Sequence, residues 1–171
     1  MVMRKIIYLL LIIPAISLQA FVVLSNWKVK TEEASVKFTS GKINGSFKGL
    51  KADIVFDKEH PEQAKISASI ETPTIATGFF LKNSHAKDAL GTDKYPTIKF
   101  VSTSVAKNGN GYVAKGNLTM KGVTKPAIIN FTFDEKVFKG SMKVIPKEFG
   151  IDRSGTPPQV MVDLVVPVTK S

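Results

Sequence analysis

The sequence predicts an all-β protein with one short helix, because its apolar residues alternate and its turn residues are closely spaced. From Trp27 onward, apolar and polar residues alternate, as in 65–71, 130–134 and 160–168. A period of two is typical of a strand with one buried and one solvated face. The pattern therefore predicts an antiparallel sheet that buries one side of most of its strands.

Turn residues separate the alternating segments. The pairs 44–45 and 121–122 and the run Asn-Gly-Asn-Gly at 108–111 carry the Asn and Gly residues of tight hairpins. Around Gly49 the alternation shifts by one residue, which indicates a β-bulge.

Residues 83–91 do not alternate and instead predict a short helix. Ser84 is a candidate N-cap, helix-forming residues follow, and Gly91 is a candidate stop. The count is then about eight strands and one helix, which favours a closed barrel or a sandwich. The pattern alone does not separate these two architectures.

The N-terminal segment predicts export. Two basic residues precede an apolar run at 6–13, and a small residue, Ala20, ends a cleavage-like site. We therefore expect a signal peptide at 1–20, whose cleavage position could lie as late as about residue 25, followed by a β-barrel domain at 26–171. The cleaved protein would lie in the periplasm or outside the cell. The alternative is an uncleaved anchor, since the apolar stretch continues to about residue 24.

Composition excludes several kinds of chemistry. The chain has no Cys and two His, which rules out a disulfide framework, a thiol nucleophile and a Cys-ligated zinc site. His85, three residues before Asp88, could be a base with an orienting carboxylate, but a solvated helix surface explains the pair better. We therefore expect no enzyme activity, no metal and no cofactor.

The charge of +10 comes almost entirely from lysines that are spread along the chain, since Arg4 and Arg153 are the only arginines. Nucleic-acid readers use clustered patches and arginine forks, so we expect no nucleic-acid partner. The same positive field would attract anionic lipid headgroups.

Small residues interrupt the apolar side of the predicted strands, at Ala68, Ala114, Gly116 and Gly140. In an eight-stranded barrel such residues could leave a cavity, or they could offset the volume of the many Phe rings in a filled core. The residues alone leave both interpretations open.

Three motifs together resemble the YceI-like family of secreted lipocalin-like barrels, which bind polyisoprenoids and other long-chain lipids. Residues 116–126 match its pattern G-x-L-T-x-x-G-V-T-x-P, and 94–100 and 148–151 resemble its K-Y-P-T-I-x-F and d-F-G-I segments. The order holds from about Trp27 to the C-terminus. One departure is at 146–147, Pro-Lys, where the family often has Arg.

The resemblance implies an eight-stranded antiparallel lipocalin-like barrel that encloses a long-chain isoprenoid or other lipid. Together with the alternation, it implies these ligand-binding residues: Phe38, Phe47, Phe79, Phe80, His85, Leu90, Tyr95, Ile98, Phe100, Leu118, Met120, Phe131, Phe133 and Phe149.

Within that set, four residues are expected to border the mouth of the barrel: Phe79, Phe80, Leu90 and Tyr95. His85, with Lys82 or Lys87, is expected to meet a polar head. Transient membrane contact and a homodimer are compatible with this interpretation. Two alternatives stay open, namely a filled barrel that acts through its surface and an enzyme for a small apolar substrate.

Overall fold

The computed structural model describes residues 24–41 and 43–171, so the predicted signal peptide lies outside the described residues. In this part of the chain, ten strands, one α-helix and three short 3-10 turns follow one another. The strands are β1 (Asn26–Val29), β2 (Ser35–Ser40), β3 (Ile43–Phe47), β4 (Lys51–Val55), β5 (Lys65–Glu71), β6 (Thr97–Asn108), β7 (Gly111–Met120), β8 (Val123–Asp134), β9 (Val137–Val144) and β10 (Val160–Lys170), and the helix is α1 (Phe80–Leu90).

The ten strands form one closed antiparallel barrel. Their order is β1-β4-β5-β6-β7-β8-β9-β10-β2-β3, and β10 pairs with β1 as well as with β9 and β2. The first part of β10 lies against β2 and its last part against β1, so β1 and β2 are two halves of one wall strand. Strands β3 and β4 are likewise two halves of one wall strand. The predicted eight-stranded barrel is therefore confirmed, and the sandwich is excluded.

The break between β3 and β4 is where the sequence predicted a bulge. Gly49 has a φ of 72°, a left-handed conformation that favours glycine, and the inward-facing positions change from odd to even numbers across it. Beside the break, the backbones of Ser46 and Ala76 exchange two hydrogen bonds of 2.8 and 2.9 Å. The predicted turn at 44–45 is wrong, because both residues lie within β3.

The hairpin between β7 and β8 has the predicted turn. Lys121 and Gly122 have φ values of 52° and 76°, as a type I′ turn requires. Glu135 and Lys136, between β8 and β9, also have positive φ values, of 46° and 62°, although neither is a residue that favours that region.

Helix α1 begins three residues before the predicted start and packs across one end of the barrel. Its N-cap is Phe79 rather than Ser84, and the Asn83 side chain accepts hydrogen bonds from the backbone and hydroxyl of Thr77 at 2.6 and 2.8 Å. Gly91 ends the helix in a left-handed conformation, as predicted. Within the described residues, no helix is long and apolar enough to cross a bilayer.

An aromatic cluster closes the opposite end of the barrel. Phe56, immediately after β4, is fully buried, and its backbone carbonyl accepts a 2.9 Å hydrogen bond from the Trp27 indole. The ring of Phe56 makes edge-to-face contacts, at centroid distances of 4.9–5.6 Å, with Tyr112, Phe131, Phe133 and Phe138. Such edge-to-face pairs stabilise a packed cluster beyond the area that they bury.

Candidate functional site

The barrel encloses a cavity of about 880 Å³ that opens near α1. Its wall is built from alternate residues of the strands, which are almost all apolar. Strand β10 supplies Val160, Val162, Leu164 and Val166, and alternate residues in parts of β2 to β9 contribute in the same way, whereas no residue of β1 lies on the wall. The interior is therefore hollow rather than filled by its own side chains.

Small side chains are the local cause of the hollow interior. Ala52 and Ala68 face each other across β4 and β5, and both lie on the cavity wall. Ala114 and Gly140 take equivalent positions on β7 and β9. Of the two interpretations that the sequence left open, the cavity therefore fits Ala68 and Ala114, whereas a Cβ atom on Gly140 would lie only 3.2 Å from a methyl carbon of Ile129.

At Gly116, the interpretation that a small residue leaves free space does not hold. A Cβ atom at this position would lie 2.7 Å from Cζ of the Phe100 ring and would also overlap the carbonyl oxygen of Val101. The missing side chain is what lets the Phe100 ring lie flat across β7. Gly116 therefore positions a residue of the cavity wall instead of enlarging the cavity.

The mouth of the cavity is cationic. Lys82 and His85 from α1 and Arg153 from the 150–159 loop reach the wall there. The Arg153 guanidinium donates a 3.3 Å hydrogen bond to the backbone carbonyl of His85, which ties the loop to the helix. Of the residues that the structure describes, no Asp or Glu lies on the cavity wall. An apolar interior with such a mouth can hold a hydrocarbon tail and attract an anionic head.

Most of the predicted site residues lie on this cavity. The structure brings together Phe38, Phe47, His85, Leu90, Ile98, Phe100, Leu118, Met120 and Phe131. Their contact with a ligand stays a prediction. The common location of the seven strand residues follows from the two-residue alternation, whereas His85 and Leu90 reach the cavity from α1.

Three predicted residues are buried or packed elsewhere. Phe133 belongs to the aromatic cluster, where its ring stacks on Phe138 at 4.2 Å. Tyr95 packs outside the cavity, under the β7–β8 turn, so that a Cβ atom on Gly122 would lie 2.7 Å from its ring. Phe149 is buried in the 3-10 turn Pro146–Phe149 and does not reach the wall.

Phe79 and Phe80 also lie off the cavity wall, and they point into solvent. Their exposed fractions are 67% and 84%. The prediction that they border the mouth places them correctly along the chain, because Thr77 and Lys82 on either side of them line the cavity.

Sequence reasoning missed part of the wall. Phe138 and Met142 of β9 line the cavity, and their spacing of four residues repeats the same alternation that identified the other strands. Arg153 was missed because it lies in an irregular loop, where no periodicity indicates the direction of a side chain.

A closed barrel around an apolar cavity with a cationic mouth defines a class of ligand-enclosing β-barrels. The chain matches the model of the YceI-like domain over residues 27–170, and it belongs to the YceI-like family.

Two bacterial relatives show different extents of similarity. Protein YceI of Escherichia coli O17:K52:H18 is 31% identical over 142 residues, which cover 74% of this chain and 72% of that protein. The UPF0312 protein plu2095 of Photorhabdus laumondii is 39% identical over 90 residues, and this match spans 52% of the chain and about half, 47%, of the relative.

Two solved structures share the fold at low sequence identity. BcnA of Burkholderia cenocepacia superposes with a TM-score of 0.77 at 22% identity, over 82% of this chain and 99% of that one. A polyisoprenoid binding domain from Saccharophagus degradans, implicated in plant cell wall breakdown, superposes with a TM-score of 0.61 at 12% identity, over 85% of this chain and 98% of that one.

Proposed function

We propose that the protein binds a long-chain amphiphile, an isoprenoid or a similar lipid, with the hydrocarbon tail inside the barrel. The observation that carries this proposal is the apolar cavity of about 880 Å³, open at one end of a closed barrel. A methylene group is close in size to a water molecule, whose share of liquid volume is about 30 Å³, so the cavity has room for roughly thirty carbon-sized groups, or about six isoprene units. The fold shared with a polyisoprenoid binding domain supports the same class of ligand.

The free energy of tail transfer favours reversible exchange of the lipid with a membrane over irreversible binding. Burial from water stabilises a tail by about 0.8 kcal/mol per methylene-sized group, or roughly 3–4 kcal/mol per isoprene unit. A free lipid tail resides in a membrane, however, and a membrane interior is as apolar as the cavity wall. Exchange between the two is therefore close to neutral in free energy, so the tail can be both taken up and released.

The head of the ligand lies at the mouth in this proposal, near Lys82, His85 and Arg153. The absence of carboxylates from the described cavity wall favours an acidic head, a carboxylate or a phosphate, over a cationic one. Asp88, which would have to orient His85 if the histidine were a catalytic base, is exposed and lies off the wall, which favours binding over catalysis.

We place this function outside the cytoplasm, because residues 1–20 have the pattern of an export signal. A barrel that shields a tail from water would there hold or ferry lipid through an aqueous compartment. The lipid would otherwise cross that compartment only at the cost of exposing its tail.

Mass spectrometry of an organic extract tests the proposal. Protein purified after export should release one amphiphile per chain, and Ala114→Phe should lose it, because Ala114 is fully buried on the cavity wall. Val113→Phe is the matched control: the same ring is added to the neighbouring residue of β7, which lies off the wall, and the amphiphile should stay. An extract from folded wild-type protein without any amphiphile would contradict the proposal.

A further inference from the structure

The three most exposed large apolar side chains of the described residues are consecutive. Phe79, Phe80 and Leu81 have exposed fractions of 67%, 84% and 70%, whereas other exposed apolar residues reach at most 51%. They form the start of α1, and they contribute to neither the core nor the cavity wall. A contiguous exposed apolar patch of this kind marks an interaction surface.

The patch adjoins the entrance to the cavity. Thr77 precedes it and Lys82 follows it, and both line the cavity. Gly78, between Thr77 and the patch, has a φ of 84°, a left-handed conformation that favours glycine. Whatever covers the patch therefore lies directly beside the opening through which a ligand passes.

The charge around the patch is positive. The Lys82 ammonium lies 5.2 Å from the centroid of the Phe79 ring, and residues 77–87 contain two lysines, one histidine and no acidic residue. Across the mouth lies Arg153. Among the salt bridges of residues 24–41 and 43–171, neither Lys82 nor Arg153 takes part.

We propose that residues 79–81, here called the apolar tip, insert into an anionic lipid bilayer and dock the barrel mouth on its surface. Proteins bound to such surfaces place apolar side chains at the boundary between headgroups and acyl chains and cations at the level of the phosphates. The apolar tip and the adjoining Lys82 and Arg153 have this arrangement. Docking would align the cavity entrance with the acyl region, so that a tail could enter without crossing water.

A site-specific label tests this docking, because the chain has no cysteine and a single introduced one is labelled cleanly. An environment-sensitive fluorophore on Phe80→Cys should shift its emission to the blue with phosphatidylglycerol-containing vesicles and should be quenched by nitroxide-labelled lipids. The control is Ile128→Cys, whose native side chain on β8 is 51% exposed. Its label should not respond, and this contrast holds whether or not the N-terminal segment is cleaved.

The contribution of the tip is measured with Phe79→Ser/Phe80→Ser/Leu81→Ser. Loss of these side chains should lower the vesicle partition coefficient by about tenfold or more. The fold should persist, because the three side chains are exposed and serine is a favoured N-cap at position 79. The matched control, Val101→Ser/Ile128→Ser, removes two half-exposed apolar side chains from the barrel wall and should bind vesicles as the wild type does.

Three results would overturn the inference: a silent label at position 80, a response of equal size with neutral phosphatidylcholine vesicles, or a tip variant that converts a lipid-free dimer into a monomer. The last result would assign the patch to a second copy of the chain.

The inference goes beyond the proposed function, and either of the two can fail while the other holds. A tip variant that still releases amphiphile into organic solvent retains the cavity function, whereas a label that responds on a barrel without lipid retains the docking.

Discussion

Filling the cavity at Ala52 and Ala68 distinguishes a hollow barrel from a filled one by the sign of a stability change. The two residues face each other across β4 and β5 on the cavity wall. Leucine at both positions adds roughly six carbon-sized groups, or about 150–180 Å³ at 25–30 Å³ each. That is about a fifth of the 880 Å³ cavity.

In a hollow barrel the double variant gains stability. Six groups at about 0.8 kcal/mol each stabilise the fold by at most about 5 kcal/mol, and fixing two leucine rotamers costs about 1–2 kcal/mol. The net gain of about 3 kcal/mol corresponds to a rise of about 6–12 °C in the Tm of the lipid-free protein. Lipid binding should fall at the same time, because the leucines take the volume of the tail.

The assay is thermal unfolding of delipidated protein, together with lipid extraction from freshly purified protein. Ser67→Leu is the control, because Ser67 is exposed on the outer side of β5 next to Ala68 and its substitution leaves the cavity unchanged. In a filled interior, the added methyl groups would overpack the core and destabilise it by about 1–3 kcal/mol. A lower Tm for the double variant, with lipid retained, would refute the reasoning.

Three further predictions concern the mouth and the closed end of the barrel. Arg153→Gln should weaken binding of a carboxylate-headed or phosphate-headed amphiphile by about ten- to a hundredfold, since an ionic hydrogen bond contributes about 1.5–3 kcal/mol. Binding of the neutral alcohol analogue should stay unchanged, and equal losses for both in a fluorescence competition assay would contradict this. Burial, with smaller contributions from Glu59 and Asp57, raises the pKa of Tyr112 above its ordinary value of 10.0. The stability that neutral Tyr112 contributes is therefore fully present below pH 10 and is lost as the pH rises further. Denaturant titrations from pH 8 to about 11 should show a smaller loss of unfolding free energy for Tyr112→Phe than for the wild type. Phe56→Ala should reduce the free energy of unfolding by about 3–5 kcal/mol in urea denaturation, because it removes the fully buried centre of the aromatic cluster. A loss under 1 kcal/mol would show that the cluster does not close the barrel end.

The alternation of residues predicted the cavity wall well, because the direction of a side chain in a strand depends only on the parity of its position. Phe100, Leu118 and Phe131 lie inside for this reason. Gly49 marked the point where the parity changes, and the structure has its break there. Parity says nothing about depth, however, so Phe133 was assigned to the cavity although it lies beyond the cavity end, in the aromatic cluster.

Outside the strands, the sequence carried less information about the site. The direction of Phe79 and Phe80 depends on where α1 begins, and the chain has no side-chain cap to indicate its start. Arg153 reaches the mouth because its loop folds onto the helix, a contact between residues 68 positions apart. The sequence left the role of Gly116 open, because its neighbour across the sheet, rather than its own size, determines the space beside it.

The aromatic cluster around Phe56 fills one end of the barrel with rings, so the cavity does not run through the barrel as an open channel. An amphiphile taken up as proposed would enter with its apolar end first and leave with its polar head first, so all bound molecules would have the same orientation. A chain longer than the cavity keeps its surplus carbons at the rim, beside the exposed side chains of Phe79 and Phe80. For a guest extended along the cavity, a second charge at the far end would lie against the ring of Phe131, away from water, which disfavours a molecule that is charged at both ends.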